Sequence, residues 1–314
     1  MKKVLITGAT GFVGKHLTEY LVSSGESEIF GTSLIDSKPQ EDKKIQIEKI
    51  DLTNFNDVVS LIDRIKPDHI YNLASLTSPA ESFENPTPVV LGNIEIEMNV
   101  LNAIKNKGLK TRIVIVSSAE VYGLVESSDL PVDEKTPMRP GNPYAVSKIA
   151  QDFLGLQYNL SYKLDIVRMR PFNHTGPGQG PNFAIPAFAK QIALIEKGQQ
   201  EPFLKVGNLE AKRDFSDVRD IVKGYALICQ KGISGEVYNI GSGKSHQMKE
   251  LLDILLSLSD KKITIESDSK RFLPVDVDNI YCNYGKLNSL TGWKPEIPIE
   301  KTLKDTLDYW RSIV

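Results

Sequence analysis

Cysteine is scarce in this sequence of 314 residues, which contains only Cys229 and Cys282. Two thiols cannot build a disulfide scaffold and their spacing is not that of metal ligands, so a reducing, cytoplasmic location is expected. The four histidines lie far apart and form no His-x-x-x-His pair, so no metal site is predicted. No apolar run approaches the ~18 to 20 residues that a membrane-spanning helix needs, and no membrane association is predicted.

An excess of one sign of charge is also absent, because 38 lysines and arginines are balanced by 40 aspartates and glutamates. The net charge of -2 gives no electrostatic reason to expect nucleic acid or an anionic membrane as a partner. Hydrophobic residues make up 40% and charged residues 25% of the chain, which is typical of soluble globular proteins and excludes disordered or collagen-like classes. At ~100 to 200 residues per domain, the length predicts one large domain or two.

Short β-branched runs alternate with amphipathic stretches over residues 1–173. Strands that alternate with helices pair in parallel through right-handed crossovers, which predicts an α/β fold with a doubly wound parallel sheet of the Rossmann type. The strand candidates are residues 4–6, 29–30, 45–50, 69–73, 113–116 and 164–169, and the helix candidates are 15–22, 54–65, 86–107 and a stretch that follows Tyr144.

The pattern changes after residue 173, where glycine and proline become dense between residues 176 and 186. We therefore predict a first domain at 1–173 and a smaller C-terminal substrate lobe at 174–314, with some segments of the lobe returning to the first domain. The polar stretch 37–44 is predicted to be a solvated loop. Helix candidates in the second part are 186–197, 217–230, 248–258 and 299–310, and residues 237–240 are a strand candidate.

Three glycines separate the first strand candidate from the first helix candidate in a G-x-x-G-x-x-G pattern. Glycine lets the backbone turn tightly and approach a pyrophosphate, while the start of the helix offers unpaired N–H groups and a partial positive charge. A tight turn without a ligand is the alternative. The position after a first strand favours dinucleotide binding by the first domain, with contacts from Gly8, Thr10, Gly11, Phe12, Val13 and Gly14.

The choice of dinucleotide depends on the end of the second strand, where a carboxylate commonly grips the ribose 2'-hydroxyl of NAD. Here Ser33 stands at about that position. A serine can hydrogen-bond a 2'-phosphate without repelling it, which favours NADPH, and NADH stays open. Asp51 and Leu52 follow the third strand candidate and are placed to contact the adenine. For Asp51, the N-cap of helix 54–65 is an equally good interpretation.

A phenol and an ammonium group stand one helical turn apart at Tyr144 and Lys148, which places them on one helix face. The ammonium group together with a positive nicotinamide favours the phenolate, so proton exchange with a substrate hydroxyl or carbonyl is expected near neutral pH. Ser117 and Ser118 end the most continuous β run, at the sheet edge where such folds place their chemistry. The Ser118 hydroxyl is expected to hold the substrate oxygen beside Tyr144.

These motifs together resemble the extended short-chain dehydrogenase/reductase family, whose members act on nucleotide sugars. The resemblance covers essentially the whole chain and includes residues 72–75, 117–123 and 143–148. It implies a homodimer that pairs through helices 86–107 and 144–162. It also implies that Ser118, Tyr144 and Lys148 are catalytic, and that Leu73, Ala74, Ser75, Tyr144 and Lys148 contact the cofactor.

Residues 170–179, 188–191 and 206–215 are similar to the GDP-mannose branch of that family, most closely to its GDP-6-deoxy-4-keto-mannose reductases. The second lobe would then bind a nucleotide sugar. Arg213 offers a planar fork for a diphosphate, and an ion pair with Asp214 or Asp217 is the alternative. The implied substrate residues are Ser118, Glu120, Asn173, Lys190, Asn208, Leu209, Arg213 and Arg271, the last of which comes two residues earlier than the arginine of the branch pattern.

The branch includes reductases and dehydratases, and both carry a glutamate at the position of Glu120. Ala119 lacks the hydroxyl or carboxyl group that dehydratases carry there, so we favour a reductase. The expected reaction is NADPH- or NADH-dependent reduction of the C4 keto group of GDP-4-keto-6-deoxy-D-mannose, with Tyr144 as proton donor. The product would be GDP-D-rhamnose or its C4 epimer GDP-6-deoxy-D-talose. A GDP-mannose 4,6-dehydratase or a nucleotide-sugar 4-epimerase is the alternative.

Overall fold

A seven-stranded parallel β-sheet forms the centre of the computed structural model, which describes residues 1–25, 27–36, 45–272 and 274–314. The strands of the described residues are β1 (Lys2–Thr7), β2 (Ser27–Ser33), β3 (Ile45–Lys49), β4 (His69–Asn72), β5 (Arg112–Val116), β6 (Asp165–Pro171), β7 (Asn173–Thr175), β8 (Phe203–Val206), β9 (Lys212–Arg213), β10 (Phe215–Asp217), β11 (Val237–Ile240), β12 (His246–Gln247), β13 (Thr264–Ser267) and β14 (Asn279–Ile280).

The order of strands in the large sheet is β11-β6-β5-β4-β1-β2-β3, and every neighbouring pair is parallel. The chain therefore reverses its direction of travel across the sheet after β3, which confirms the predicted doubly wound α/β fold. Strand β11 comes from beyond residue 173 and pairs with β6. The division into domains at residue 173 stays a prediction.

Helices cover the sheet and build a second cluster beyond it. They are α1 (Phe12–Ser23), α2 (Phe55–Ile65), α3 (Pro79–Glu84), α4 (Pro86–Lys107), α5 (Pro143–Tyr162), α6 (Ala184–Glu196), α7 (Val218–Lys231), α8 (Met248–Ser257), α9 (Gly285–Thr291) and α10 (Ile299–Ile313), with short 3-10 helices at Ala119–Val121, Ser127–Asp129 and Ser269–Arg271. None of these helices is both long enough and apolar enough to cross a membrane.

Strand β1 shows why the sheet is covered on both faces. Val4 and Ile6 belong to the cluster that contains α1 and α7 residues, whereas Leu5 belongs to the cluster that contains residues of α2 and α4. Because successive side chains point to opposite faces, an uninterrupted apolar strand needs a hydrophobic layer on each side. A third cluster, formed mainly by α6, α8 and α10, lies outside these two layers.

The start of α2 decides between the two interpretations of Asp51. The helix begins at Phe55, and the Asn54 side chain caps it by accepting a hydrogen bond from the Asn56 N–H group at 3.1 Å. The Asp51 carboxylate instead accepts hydrogen bonds from the N–H and hydroxyl groups of Thr53. The N-cap interpretation of Asp51 is therefore wrong, because Asn54 occupies that position. The predicted loop 37–44 lies outside the described residues.

Candidate active site

The turn between β1 and α1 depends on close backbone approach. Gly8 has φ +69°, a region that side chains disfavour. A Cβ atom on Gly14 would lie 2.3 Å from the Gly8 carbonyl oxygen, so only glycine lets α1 begin here. No side chain caps the first turn of α1, and no acidic residue stands in it. Its free N–H groups and positive end therefore suit a diphosphate.

The end of β2 contributes hydroxyl groups to this turn. The Thr32 hydroxyl accepts a hydrogen bond from the Gly8 N–H group at 3.2 Å, and the hydroxyl oxygens of Thr10 and Ser33 lie 2.9 Å apart. Ser33 is buried, so a pair of neutral hydroxyl groups occupies the place where a carboxylate would repel a phosphate. Asp36, slightly later, forms an ion pair with Lys49 at 2.8 Å.

The segment after β4 lies against the same turn. The Thr7 hydroxyl accepts hydrogen bonds from the N–H groups of Leu73 and Ala74 at 2.9 and 3.0 Å, and donates one to the Asn72 side chain at 2.7 Å. A Cβ atom on Gly8 would lie 3.2 Å from the Cα atom of Ala74. The carboxyl ends of β1, β2 and β4 thus form one continuous edge. The predicted dinucleotide contacts of the residues along this edge stay a prediction.

Helix α5 places the predicted catalytic pair. The Asn142 side chain caps it by accepting a hydrogen bond from the Ala145 N–H group at 2.7 Å, and Pro143 occupies the first turn. Tyr144 therefore stands at the helix start, with the Lys148 Nζ atom 5.7 Å from its ring centre. Lys148 donates a hydrogen bond to the Val116 carbonyl at the end of β5, at 3.0 Å. Both side chains are buried at the sheet edge.

Burial shifts the pKa values of both side chains of this pair. Burial raises the pKa of the Tyr144 phenol well above its ordinary value; a hydrogen bond with the Ser118 side chain opposes the rise and the charge of Glu120 adds to it. Burial also lowers the pKa of Lys148 to about 8, and the negative charge of Glu97 opposes that fall. For these side chains, desolvation of the phenol is the largest effect, so the pKa of Tyr144 is raised. The expected combined effect of the ammonium group and a positive nicotinamide stays a prediction.

Glu120 is fixed by the same helix start that positions Tyr144. The Asn142 side chain donates a hydrogen bond to the Glu120 carboxylate at 2.9 Å. The Glu120 N–H group in turn donates to the Ser118 hydroxyl at 3.2 Å. Ser118, Glu120 and Tyr144 are therefore joined through Asn142, a residue that sequence reasoning did not single out, although an asparagine before a proline at a helix start was a visible capping signal.

Two of the predicted substrate residues meet at an acid that sequence reasoning missed. Arg213 forms an ion pair with Asp276, and the Asn208 side chain donates a hydrogen bond to the same carboxylate at 2.8 Å. Asp214 is buried and accepts hydrogen bonds from the N–H groups of Ser242, Gly243 and Cys282, while Asp217 pairs with Arg219. The predicted ion pair of Arg213 with Asp214 or Asp217 is wrong, since both carboxylates are occupied.

The predicted substrate residues around the candidate site lie in three places. Glu120, Asn173 and Arg213 line one cavity together with Ala119. The second place is a groove of about 520 Å³, and its lining includes Lys190 and Arg271 together with Gln191, Phe203 and Glu266. The cavity and the groove share no lining residue. Leu209 is in the third place, where it packs against the cluster of α6, α8 and α10, and its carbonyl accepts a hydrogen bond from the Lys249 N–H group at 3.0 Å.

The family model described as GDP-mannose 4,6 dehydratase matches residues 5–306. GDP-6-deoxy-D-mannose reductase of Pseudomonas aeruginosa is 33% identical over 313 residues, which cover 100% of this chain and 98% of the relative. GDP-mannose 4,6 dehydratase 2 of Arabidopsis thaliana is 32% identical over 327 residues, which cover 98% of this chain and 86% of that protein.

The fold is also similar to solved structures. The structure of RMD from Pseudomonas aeruginosa complexed with NADPH superposes with a TM-score of 0.88 at 33% identity, and covers 100% of both chains. The UDP-glucose 4-epimerase of Thermus thermophilus in complex with NAD superposes with a TM-score of 0.88 at 26% identity, and covers 99% of this chain and 100% of the other.

Proposed function

The chain belongs to the GDP-mannose 4,6 dehydratase family, and we propose that it is the family's nucleotide-sugar 4-ketoreductase. It is an NAD(P)-dependent oxidoreductase, and the proposed reaction is reduction of the C4 keto group of GDP-4-keto-6-deoxy-D-mannose. The relative named GDP-6-deoxy-D-mannose reductase supports this proposal. The resemblance inferred from the motifs is confirmed. One observation carries the chemistry: the buried phenol of Tyr144 lies beside the buried ammonium group of Lys148, which binds the Val116 carbonyl at the carboxyl end of β5.

The cofactor is NADPH or NADH, and when bound it supplies the hydride that reduces the keto group. The free N–H groups of α1 would hold its diphosphate, and the Thr10 and Ser33 hydroxyl groups would bind a 2'-phosphate. Asp51 and Leu52 would contact the adenine. Leu73, Ala74 and Ser75, which follow β4, would also contact the cofactor. The neutral hydroxyl pair favours NADPH over NADH.

Tyr144 would act as the proton donor to the oxygen at C4. Because burial raises its pKa, the phenol is protonated at neutral pH and holds the proton that the forming alkoxide needs. The Ser118 hydroxyl would hold the carbonyl oxygen beside the phenol. Lys148, close to the Tyr144 ring, would stabilise the phenolate left after proton transfer and hold the cofactor ribose. Glu120, held by Asn142, would orient the sugar.

The GDP moiety would extend from the cavity of Glu120, Asn173 and Arg213. The guanidinium group of Arg213 can exchange its contact with Asp276 for a diphosphate, because a phosphate group, like a carboxylate, offers two oxygens to the planar fork. Asn208, which shares the Asp276 carboxylate, and Leu209 beside it would contact the same moiety. Lys190 and Arg271 line the neighbouring groove and would contact the nucleotide from there.

We also propose that the protein is a cytoplasmic homodimer that pairs through α4 and α5. These helices pack against each other and keep large apolar side chains on the surface, among them Leu91 and Leu160, each 59% exposed, and Phe153, 50% exposed. Such an exposed apolar face is typical of an interface between subunits. Light scattering after size exclusion measures the mass, and a monomer at micromolar concentration would contradict the proposal.

The function is tested by measuring whether the sugar substrate causes oxidation of the reduced cofactor. The purified protein is mixed with GDP-4-keto-6-deoxy-D-mannose and NADPH or NADH, and the absorbance of the reduced nicotinamide is followed. We expect stoichiometric oxidation of the cofactor, and NMR of the product then distinguishes GDP-D-rhamnose from GDP-6-deoxy-D-talose. No oxidation, together with conversion of GDP-mannose in the absence of added reductant, would instead identify a dehydratase.

A further inference from the structure

A buried carboxyl group lies next to the candidate active site without a complete set of partners. Glu97 on α4 is 1% exposed. Its Oε2 atom accepts a hydrogen bond from the Asn72 side chain at 2.6 Å, whereas its Oε1 atom has no hydrogen-bond partner among the described residues. A buried acid with an unpaired oxygen costs free energy, so its presence calls for a compensating interaction.

The position of Glu97 on the helix excludes a solvent-facing role. Asn93, Glu97, Val100, Leu101 and Ile104 are all buried, and this spacing of three and four residues defines the inner face of α4. That face packs against α5. Through Asn72, Glu97 also reaches the end of β4, the strand next to β5 in the sheet.

Lys148 on α5 reaches the neighbouring strand end. Its Nζ atom donates to the carbonyl of Val116, the residue after Ile115, and Ile115 pairs with Asn72 across β4 and β5. The positive charge of Lys148 lowers the pKa of Glu97, and the negative charge of Glu97 raises that of Lys148. Burial acts on both groups in the opposite sense and is the larger effect: it raises the pKa of Glu97 to about 7 and lowers that of Lys148 to about 8. Each charge therefore favours the charged form of the other group.

Other ionisable groups around Glu97 also lie on α5. The negative charge of Asp152 raises the pKa of Glu97, but Asp152 is itself bound to Arg168 and Arg170. Glu97 in turn raises the pKa of the Tyr158 phenol. Strand β4 contributes the neutral amide of Asn72. Among the described residues, Glu97 is thus the carboxylate whose negative charge raises the pKa of Lys148.

We propose that Glu97 is a positioning residue, whose buried carboxylate is the counter-charge that keeps Lys148 an ammonium ion beside Tyr144. The inference rests on the proposed function, because it assigns Lys148 a role in cofactor binding and catalysis. Without Glu97, the ammonium group would be buried with the neutral Val116 carbonyl as its hydrogen-bond partner. Burial would then lower the pKa of Lys148 further and favour the neutral amine.

Glu97→Gln removes the charge and keeps the shape, since the amide oxygen can still accept from the Asn72 side chain. The alkaline limb of NADPH affinity, measured by quenching of protein fluorescence across pH 6 to 9.5, is expected to move to lower pH by about one unit. The alkaline limb of kcat/KM for ketone reduction should move by the same amount. The affinity measurement needs no sugar substrate, so it stays informative even if the proposed reaction is not observed.

Glu300→Gln is the control, because Glu300 is an exposed glutamate on α10, outside the candidate site and the proposed subunit interface, and its profile should match that of the native protein. Glu97→Asp, which retains a carboxylate, should restore part of the native alkaline limb. An unchanged limb in Glu97→Gln would overturn the proposal. So would an equal loss of affinity and activity at every pH, because that is the result of a merely structural role.

A second measurement does not depend on the folding of a Glu97 variant. In protein labelled with ¹³C at the glutamate carboxyl carbon, Glu97 is expected to titrate near pH 7, above the ordinary pKa of a glutamate. The substitution Lys148→Met removes the neighbouring positive charge and should move this titration to higher pH by about one unit. A titration that is the same with and without Lys148 would show that the two groups are not coupled and would refute the proposal.

Discussion

On the cofactor side of the site, Gly8, Gly14 and Ala74 approach one another through backbone atoms, and the Thr7 hydroxyl holds the strand ends together. On the substrate side, Arg213, Asn208 and Asp276 meet through side chains. The first arrangement is set by strand ends that the sheet already fixes, so it can bind a ligand without rearranging. The second is made of ionic contacts that a charged ligand can replace.

Tyr144 lies between these two sides, so its loss should separate chemistry from binding. Tyr144→Phe is expected to lower kcat by about 10²- to 10⁴-fold, because the proton donor is lost. The affinity for cofactor and the KM for the sugar should change little, as the ring itself remains. Steady-state kinetics and fluorescence titration measure the two quantities. Tyr162→Phe, at the exposed end of the same helix, is the control, and turnover near the native rate in Tyr144→Phe would remove Tyr144 from its proposed role.

A single added Cβ atom at Gly14 is expected to disturb the backbone packing on the cofactor side. Gly14→Ala would place a Cβ atom against the Gly8 carbonyl oxygen, and we expect the free energy of unfolding to fall by about 1 to 3 kcal/mol, with weaker NADPH binding. Gly92→Ala is the control, since no atom lies within 4 Å of a Cβ at that helical position. Urea unfolding and cofactor titration measure both. Equal stability of the two variants would contradict the close approach at Gly14.

The same side sets the choice of cofactor. Ser33→Asp puts a carboxylate beside Thr10, where it would repel a 2'-phosphate, and NADPH affinity is expected to fall on the order of tenfold. NADH, which has a hydroxyl group there, should bind at least as well as before. Ser24→Asp, at the exposed end of α1, serves as the control. A parallel loss for both cofactors would show that Ser33 does not face the 2' position.

The substrate side should respond more weakly and more selectively. Arg213→Lys retains the positive charge but loses the planar fork, so KM for the nucleotide sugar is expected to rise about fivefold. Cofactor affinity should be unchanged. Lys212→Gln, at the exposed neighbouring residue, is expected to leave KM near the native value. A loss of cofactor affinity in Arg213→Lys would mean that the two sides are not independent.

The two sides of the site also differ in how well the sequence predicts them. The glycine turn, the strand ends and helix 86–107 depend on residues close in the chain, and periodicity and turn chemistry identified them. Asp276 lies 68 residues from Asn208, and nothing local indicates that the two meet. Glu97 had a usable signal, because it shares helical spacing with apolar residues on the inner face of α4. Its partnership with Lys148 depends on how two helices pack.

Strand β11 has a consequence for how the chain matures. It seals the outer edge of β6, yet more than sixty residues separate the two in the sequence. A nascent chain from which only β1 through β6 have emerged therefore exposes an unpaired edge of β6. The strands of other nascent chains can pair with this edge. Chaperone binding and aggregation should consequently peak for translation products that stop before Val237, and decline once that segment has emerged.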